Sequence, residues 1–116
     1  MLGWLNVAYD YDGMLRWAYN SWPENPMMDS RFGNWPAGDT YLTYPGCHSS
    51  IRFERLIDGI EVSEKVRILK AEGVDLKPMY DALQQEFLAN NINDPAQPWC
   101  ERMNKVKTIF DEICRK

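Results

Sequence analysis

The sequence contains few residues of the kinds that bind metals or form disulfide bonds. Its 116 residues include one histidine, His48, and three cysteines, Cys47, Cys100 and Cys114, with no CxxC spacing. A zinc site takes three or four side-chain ligands, and an activated nucleophile needs an oriented base. No metal site, cofactor or catalytic pair is therefore predicted. The odd number of thiols argues against a disulfide framework, although one bridge could form in an oxidising compartment.

Positive charge and long apolar runs are also scarce. The 13 basic residues are outnumbered by 17 acidic ones, giving a net charge of -4, and the basic residues form no cluster. Nucleic-acid binding needs a cationic face, so no nucleic-acid partner is predicted. No apolar run approaches the roughly 20 residues that a transmembrane helix requires, so no membrane span is predicted.

The aromatic residues, in contrast, are concentrated in the first part of the chain. Residues 1–48 hold ten of the fifteen aromatic residues but only two basic ones, Arg16 and Arg31. Residues 49–116 alternate charged and aliphatic side chains in the manner of amphipathic helices. We interpret the first part as a site and the second as a scaffold.

Two short strands are predicted in the aromatic part. Residues 14–19 follow the turn signal Asp12-Gly13 and show a period-2 alternation, and Pro23 cannot continue a strand. Residues 40–44 are β-branched and aromatic, which predicts a second strand. The intervening residues 23–38 are predicted to form an ordered lid. Residues 20–22 would then lie at a strand's carboxyl end, where α/β proteins bind ligands.

Four helices are predicted. Residues 2–9 show helical spacing without a preceding cap, so we expect this helix to begin upstream. Ser50 is a suitable N-cap for a helix that starts at residue 51, with an apolar stripe through residues 53, 56, 57 and 60 and with Gly73 as its stop. Within that helix, Gly59 is expected to allow close approach to a strand. Further helices are predicted at about 76–88 and 99–114.

The aromatic residues have two open interpretations. Their rings could stack on the C–H faces of a sugar while polar neighbours bind its hydroxyls, or they could form the core of a small domain. Asn20, Asp39, Arg16 and Arg31 are the candidate polar partners. The rings in question belong to Trp17, Tyr19, Trp22, Trp35, Tyr41 and Tyr44.

Three ordered segments resemble a known family. They are residues 12–22 (DGMLRWAYNSW), 38–46 (GDTYLTYPG) and 49–60 (SSIRFERLIDGI). Together they resemble the C-terminal catalytic-module segment of glycoside hydrolase family 123-like proteins, also known as domain of unknown function 4091 and frequent in gut Bacteroides. The resemblance covers residues 12 to about 70, and residues 75–116 match no motif.

The resemblance implies an α/β fold, specifically the C-terminal fragment of a (β/α)8 barrel. This helix-rich fragment would contain about two strands and three to four helices. Residues 1–74 would form the barrel segment and residues 75–116 a helical extension. A whole barrel needs about 250 residues, so we expect partnership with an upstream barrel segment or self-association as a homo-oligomer.

The resemblance also implies an activity and a ligand. Such proteins resemble β-N-acetylgalactosaminidases, in which the substrate's acetamido oxygen attacks the anomeric carbon while an acid protonates the leaving group. The family's Asp-Glu pair lies upstream of this segment, so no catalytic residue is assigned and the chain alone is expected to be inactive. A periplasmic or secreted location is suggested. The expected partner is a glycan containing N-acetylhexosamine, bound by Trp17, Tyr19, Asn20, Trp22, Asp39 and Tyr41.

Two alternatives remain open. The chain could be a stand-alone carbohydrate-binding or protein-interaction module without catalysis. It could also be a truncation product that folds as an oligomer and has no task of its own.

Overall fold

The computed structural model describes residues 2–116, and its regular structure is helical. Helices α1 (Leu2–Ala8), α2 (Ile51–Ala71), α3 (Lys77–Leu83) and α4 (Trp99–Cys114) are joined by loops, and a π-helical turn (Gln84–Leu88) directly continues α3. The chain forms two compact units. We call Gly13–Asp58 the loop unit, and residues 2–12 with Gly59–Lys116 the helical unit.

The helical unit has an apolar core to which all four helices and the π-helical turn contribute. Phe87 and Val106 are fully buried at its centre, and Trp4 of α1 meets Phe110 of α4 edge to face at a centroid distance of 5.5 Å. Burying a side chain of this size stabilises the fold by about 1.5–3 kcal/mol. The other buried members are Val7, Val66, Leu76, Met79, Ala82, Leu83 and Ile113.

Within the helical unit, α1 and α2 approach each other at two glycines. A Cβ atom built on Gly3 would lie only 2.8 Å from the carbonyl oxygen of Gly59 and 2.9 Å from its carbonyl carbon. Only the absence of side chains at both positions allows this contact. The prediction that Gly59 admits a strand is therefore wrong, because the neighbouring element is helix α1.

The predicted ends of α2 are confirmed. Ser50 Oγ accepts a hydrogen bond of 3.1 Å from the Phe53 amide, which satisfies one of the unpaired donors of the first turn. Gly73 follows the last turn with φ of +75°, a conformation that glycine adopts without a steric penalty. The predicted helices at 2–9, 76–88 and 99–114 are also confirmed, with the π-helical turn as the last part of the third.

The apolar stripe predicted for α2 is only partly correct. Ile57 and Ile60 are exposed, and the buried residue of α2 is Val66. Helix α2 carries aliphatic residues on more than one side, so the spacing of its first half did not indicate which side packs on the core.

The two predicted strands are wrong. Among residues 2–116 only isolated bridges occur, and one of them pairs Asn20 with Tyr41 in antiparallel orientation. The Leu42 amide donates to the Tyr19 carbonyl (2.8 Å), and the Ser21 amide donates to the Thr40 carbonyl (3.1 Å). A two-stranded pair is marginal by itself, and these segments find no third strand among the described residues. The barrel fragment and the division at 74/75 stay predictions.

Candidate functional site

The loop unit exposes a pair of tryptophans whose rings contact each other at a tilt. The rings of Trp17 and Trp35 lie 4.7 Å apart at an interplanar angle of 31°, and the two residues are 54% and 52% exposed. Trp35 is held by a tight turn in which its amide donates to the Phe32 carbonyl (3.3 Å), with Gly33 at φ of +60°. We call this pair the aromatic wall.

A carboxylate beside the wall is held in its ionised form. Arg16 Nη2 donates to Asp39 Oδ1 at 2.8 Å and also to the Asp39 carbonyl oxygen. This bond lowers the pKa of Asp39, with smaller contributions from the Trp17 indole and the charge of Arg52. Asp39 is therefore a hydrogen-bond acceptor next to an aromatic face, and it is poorly suited to donate a proton.

Tyr41 is the predicted site residue that the structure buries. It is 0% exposed, its ring lies under the Arg52 guanidinium at 5.1 Å, and Tyr44 packs edge to face at 5.2 Å. The Tyr41 hydroxyl approaches the Pro26 carbonyl at 3.4 Å, and burial raises its pKa. Because Tyr41 is buried among these contacts, neither face of its ring is available to a ligand.

The other three predicted site residues are exposed. The Trp22 indole N–H donates to the Thr43 carbonyl at 2.7 Å, which fixes the ring's orientation. Tyr19 packs edge to face on Phe53 at 6.1 Å. The Asn20 side chain makes no hydrogen bond within the described chain, and only its backbone is placed, by the bridge to residue 41.

Trp17 and Asp39 are thus the predicted pair that the structure brings together, through Arg16. Arg31, a candidate hydroxyl donor in the sequence, is instead bonded to Asp29 through Nη2 at 2.6 Å. That bond is the main reason that the pKa of Asp29 falls to about 2. Arg52 was not predicted as a site residue, because it occurs in an ordinary amphipathic helix and no sequence motif marks it.

Residues 2–116 contain no group of three or more His, Cys, Asp or Glu side chains that could hold a metal ion. The three cysteines are free and exposed. None of the helices in the described part of the chain is both long and apolar enough to cross a membrane.

Comparison with known proteins gave one match. A family model described as "Glycoside hydrolase 123, catalytic domain" matches residues 1–69, which is more than half of the chain. No curated protein and no solved structure matches.

Proposed function

The chain belongs to the glycoside hydrolase 123 catalytic-domain family, and we propose that its loop unit lines a sugar subsite. The proposed ligand is a glycan that contains an N-acetylhexosamine. The proposed contact residues are the aromatic wall, Asp39, and the exposed side chains of Tyr19, Asn20 and Trp22.

The aromatic wall is the observation that carries this proposal. Two large indole rings that contact each other while remaining half exposed form a contiguous apolar patch on the surface, and such patches are typical of binding sites. A sugar's C–H face can cover such rings, and an ionised acceptor beside them can bind a hydroxyl. Asp39 supplies that acceptor, and its bond to Arg16 lowers its pKa further below neutral pH.

We propose that catalysis needs groups outside this subsite. Substrate-assisted cleavage, which the resemblance implies, requires an acid that protonates the leaving oxygen, and such an acid works best with a raised pKa. The pKa of Asp39 is shifted in the opposite direction. The chain by itself should therefore not hydrolyse a chromogenic N-acetylgalactosaminide, and turnover that disappears in Asp39→Asn would contradict this.

Binding is tested by titrating N-acetylgalactosamine at millimolar concentrations while tryptophan fluorescence is recorded. Trp17→Ala removes one of the two rings of the aromatic wall and leaves Trp35 without its partner, so it should abolish the response. Trp99→Phe, in the helical unit, is the matched control and should leave the response unchanged. If the fluorescence of the parent chain does not change with sugar concentration, the proposed subsite is refuted. If the response is the same in Trp17→Ala, the aromatic wall is not part of the subsite.

A specific observation also favours a macromolecular partner. Leu15 is 94% exposed and Met28 83% exposed, both in the loop unit, which is unusual for large apolar side chains. We propose that an upstream barrel segment or a second copy covers them in the assembled protein. If the chain serves instead as a stand-alone module, sedimentation should show a monomer that still binds sugar.

A further inference from the structure

Arg52, in the first turn of α2, is bonded to the segment that carries Asp39. Its Nη2 and Nε atoms lie 3.2 and 3.3 Å from the Tyr41 carbonyl oxygen, so one guanidinium donates twice to one acceptor. The same guanidinium lies over the Tyr41 ring at 5.1 Å. Lysine can also place a cation above an aromatic face, but only the planar guanidinium of arginine can do so while donating two N–H groups to one carbonyl.

Arg52 also packs against the residue on the other side of Asp39. A Cβ atom on Gly38 would lie 2.9 Å from Arg52 Nη1, and Gly38 has φ of +74°. The Gly38 amide is bonded to the Ser30 carbonyl at 2.9 Å, so this turn is also tied to the lid loop. Arg52 therefore contacts the chain both before and after Asp39.

The two arginines near Asp39 act differently. Arg16 bonds the Asp39 carboxylate directly, whereas Arg52 acts on its neighbours and contributes a smaller part of the charge that lowers the pKa of Asp39. Among the described residues, Arg16 and Arg52 are the two groups whose charge lowers the pKa of Asp39. The backbone of residues 38–41 is held by isolated hydrogen bonds, such as that from the Asp39 amide to the Pro36 carbonyl (3.0 Å), and the two arginines add side-chain contacts to them.

We propose that Arg52 is a positioning residue of the sugar subsite, which fixes the Gly38–Tyr41 segment so that Asp39 stays beside the aromatic wall. This inference rests on the proposed function, because the segment's orientation matters only if the wall and Asp39 bind a ligand. Its structural part can nevertheless be tested without any ligand.

The test follows the indole N–H resonance of Trp17 in the full chain labelled with 15N-tryptophan, identified by its loss in Trp17→Phe. This indole lies close enough to Asp39 to stabilise the carboxylate, so its resonance reports the ionisation of that group. In Arg52→Met we expect the resonance to shift and the midpoint of its pH titration to rise. Removal of a charged hydrogen bond should also weaken N-acetylgalactosamine binding about tenfold.

Arg55→Met is the matched control. Arg55 is on the same helix, is exposed and pairs only with Asp58 at 2.8 Å. Its replacement should leave the Trp17 resonance, the midpoint and the sugar affinity unchanged.

Arg52→Lys separates charge from geometry. It keeps the positive charge but loses the forked bond to the Tyr41 carbonyl, so the resonance should shift while the midpoint moves less than in Arg52→Met. The same variant replaces Arg52→Met if the latter fails to fold.

An unchanged Trp17 resonance in both variants would overturn the positioning role, whether or not sugar binds. A parent chain that binds no sugar but shows the expected shifts would refute the proposed subsite and leave the structural role of Arg52 intact.

Discussion

The contact between Gly3 and Gly59 makes the most quantitative prediction about stability. In Gly3→Ala the added Cβ would lie 2.8 Å from the Gly59 carbonyl oxygen, whereas a relaxed contact between heavy atoms of this kind is about 3.5 Å or longer. Because the obstructing atoms are backbone, no side-chain rotation can relieve the overlap. Helix α1 must move away from α2, and it carries Trp4 and Val7 out of their packed positions.

The expected cost follows from two opposing effects. Overpacking a well-packed contact costs about 1–3 kcal/mol. Alanine is favoured over glycine inside a helix by about 1 kcal/mol, which offsets part of this. Gly3→Ala should therefore lower the free energy of unfolding by up to about 2 kcal/mol, and each kcal/mol lost should lower Tm by roughly 4 °C for a domain of this size.

Alanine substitutions at two further glycines should give smaller losses of stability, or none, and serve as comparisons. In Gly59→Ala the nearest atom would be the Gly3 Cα at 3.0 Å, so the loss should be smaller. Gly13→Ala meets no atom within 4 Å and is not at positive φ, so it should be neutral or slightly stabilising. The measurement is urea unfolding of all four proteins followed by far-UV circular dichroism. A Gly3→Ala protein at least as stable as the parent would show that the two helices do not meet at these glycines.

Two other predictions address the core and the site. Phe87→Ala removes a fully buried ring and should cost about 3–5 kcal/mol in urea unfolding, whereas Phe32→Ala, on an exposed turn, should cost less than about 1 kcal/mol. Because the pKa of Asp39 is lowered in the folded chain, its pair with Arg16 stabilises the fold above the unfolded pKa and is lost as the pH falls through the folded pKa. In Asp39→Asn, the urea midpoint of unfolding should therefore fall less steeply as the pH is lowered. If it falls as steeply as in the parent chain, the Asp39–Arg16 pair is not the source of the pH dependence.

The helices were predictable from sequence because their signals are local. A capping serine lies three residues from the amide it satisfies, and a glycine at positive φ ends the helix two residues after its last turn, so both ends of α2 could be located from short windows. The side of α2 that packs on the core is not determined by local sequence. It depends on the contact of Gly59 with Gly3, more than fifty residues away, and no periodicity within α2 encodes that contact.

The strands failed for a related reason. Alternation in residues 14–19 described two faces of an extended segment, but a strand also needs a partner along at least one hydrogen-bonding edge. In the described chain the pairing is limited to the neighbourhood of Asn20 and Tyr41. The sequence likewise could not distinguish Tyr41, which is buried, from Trp17, which is exposed, because both are aromatic residues in β-prone segments.

In the loop unit, side chains near the proposed ligand site form hydrogen bonds with backbone carbonyl groups, so the stability of this unit and its proposed ligand site are linked. Where strands would have paired carbonyl groups with amides, arginine side chains serve as donors: Arg16 to the carbonyl of residue 39, and Arg52 to that of residue 41. An arginine that bonds a loop carbonyl is both a structural support and a nearby charge. Substitutions at these arginines should therefore change sugar affinity and the placement of residues 38–41 together, whereas Trp17→Ala should weaken sugar binding and leave the arginine bonds to residues 39 and 41 intact. That difference separates residues that contact a ligand from residues that hold the contacting ones in place.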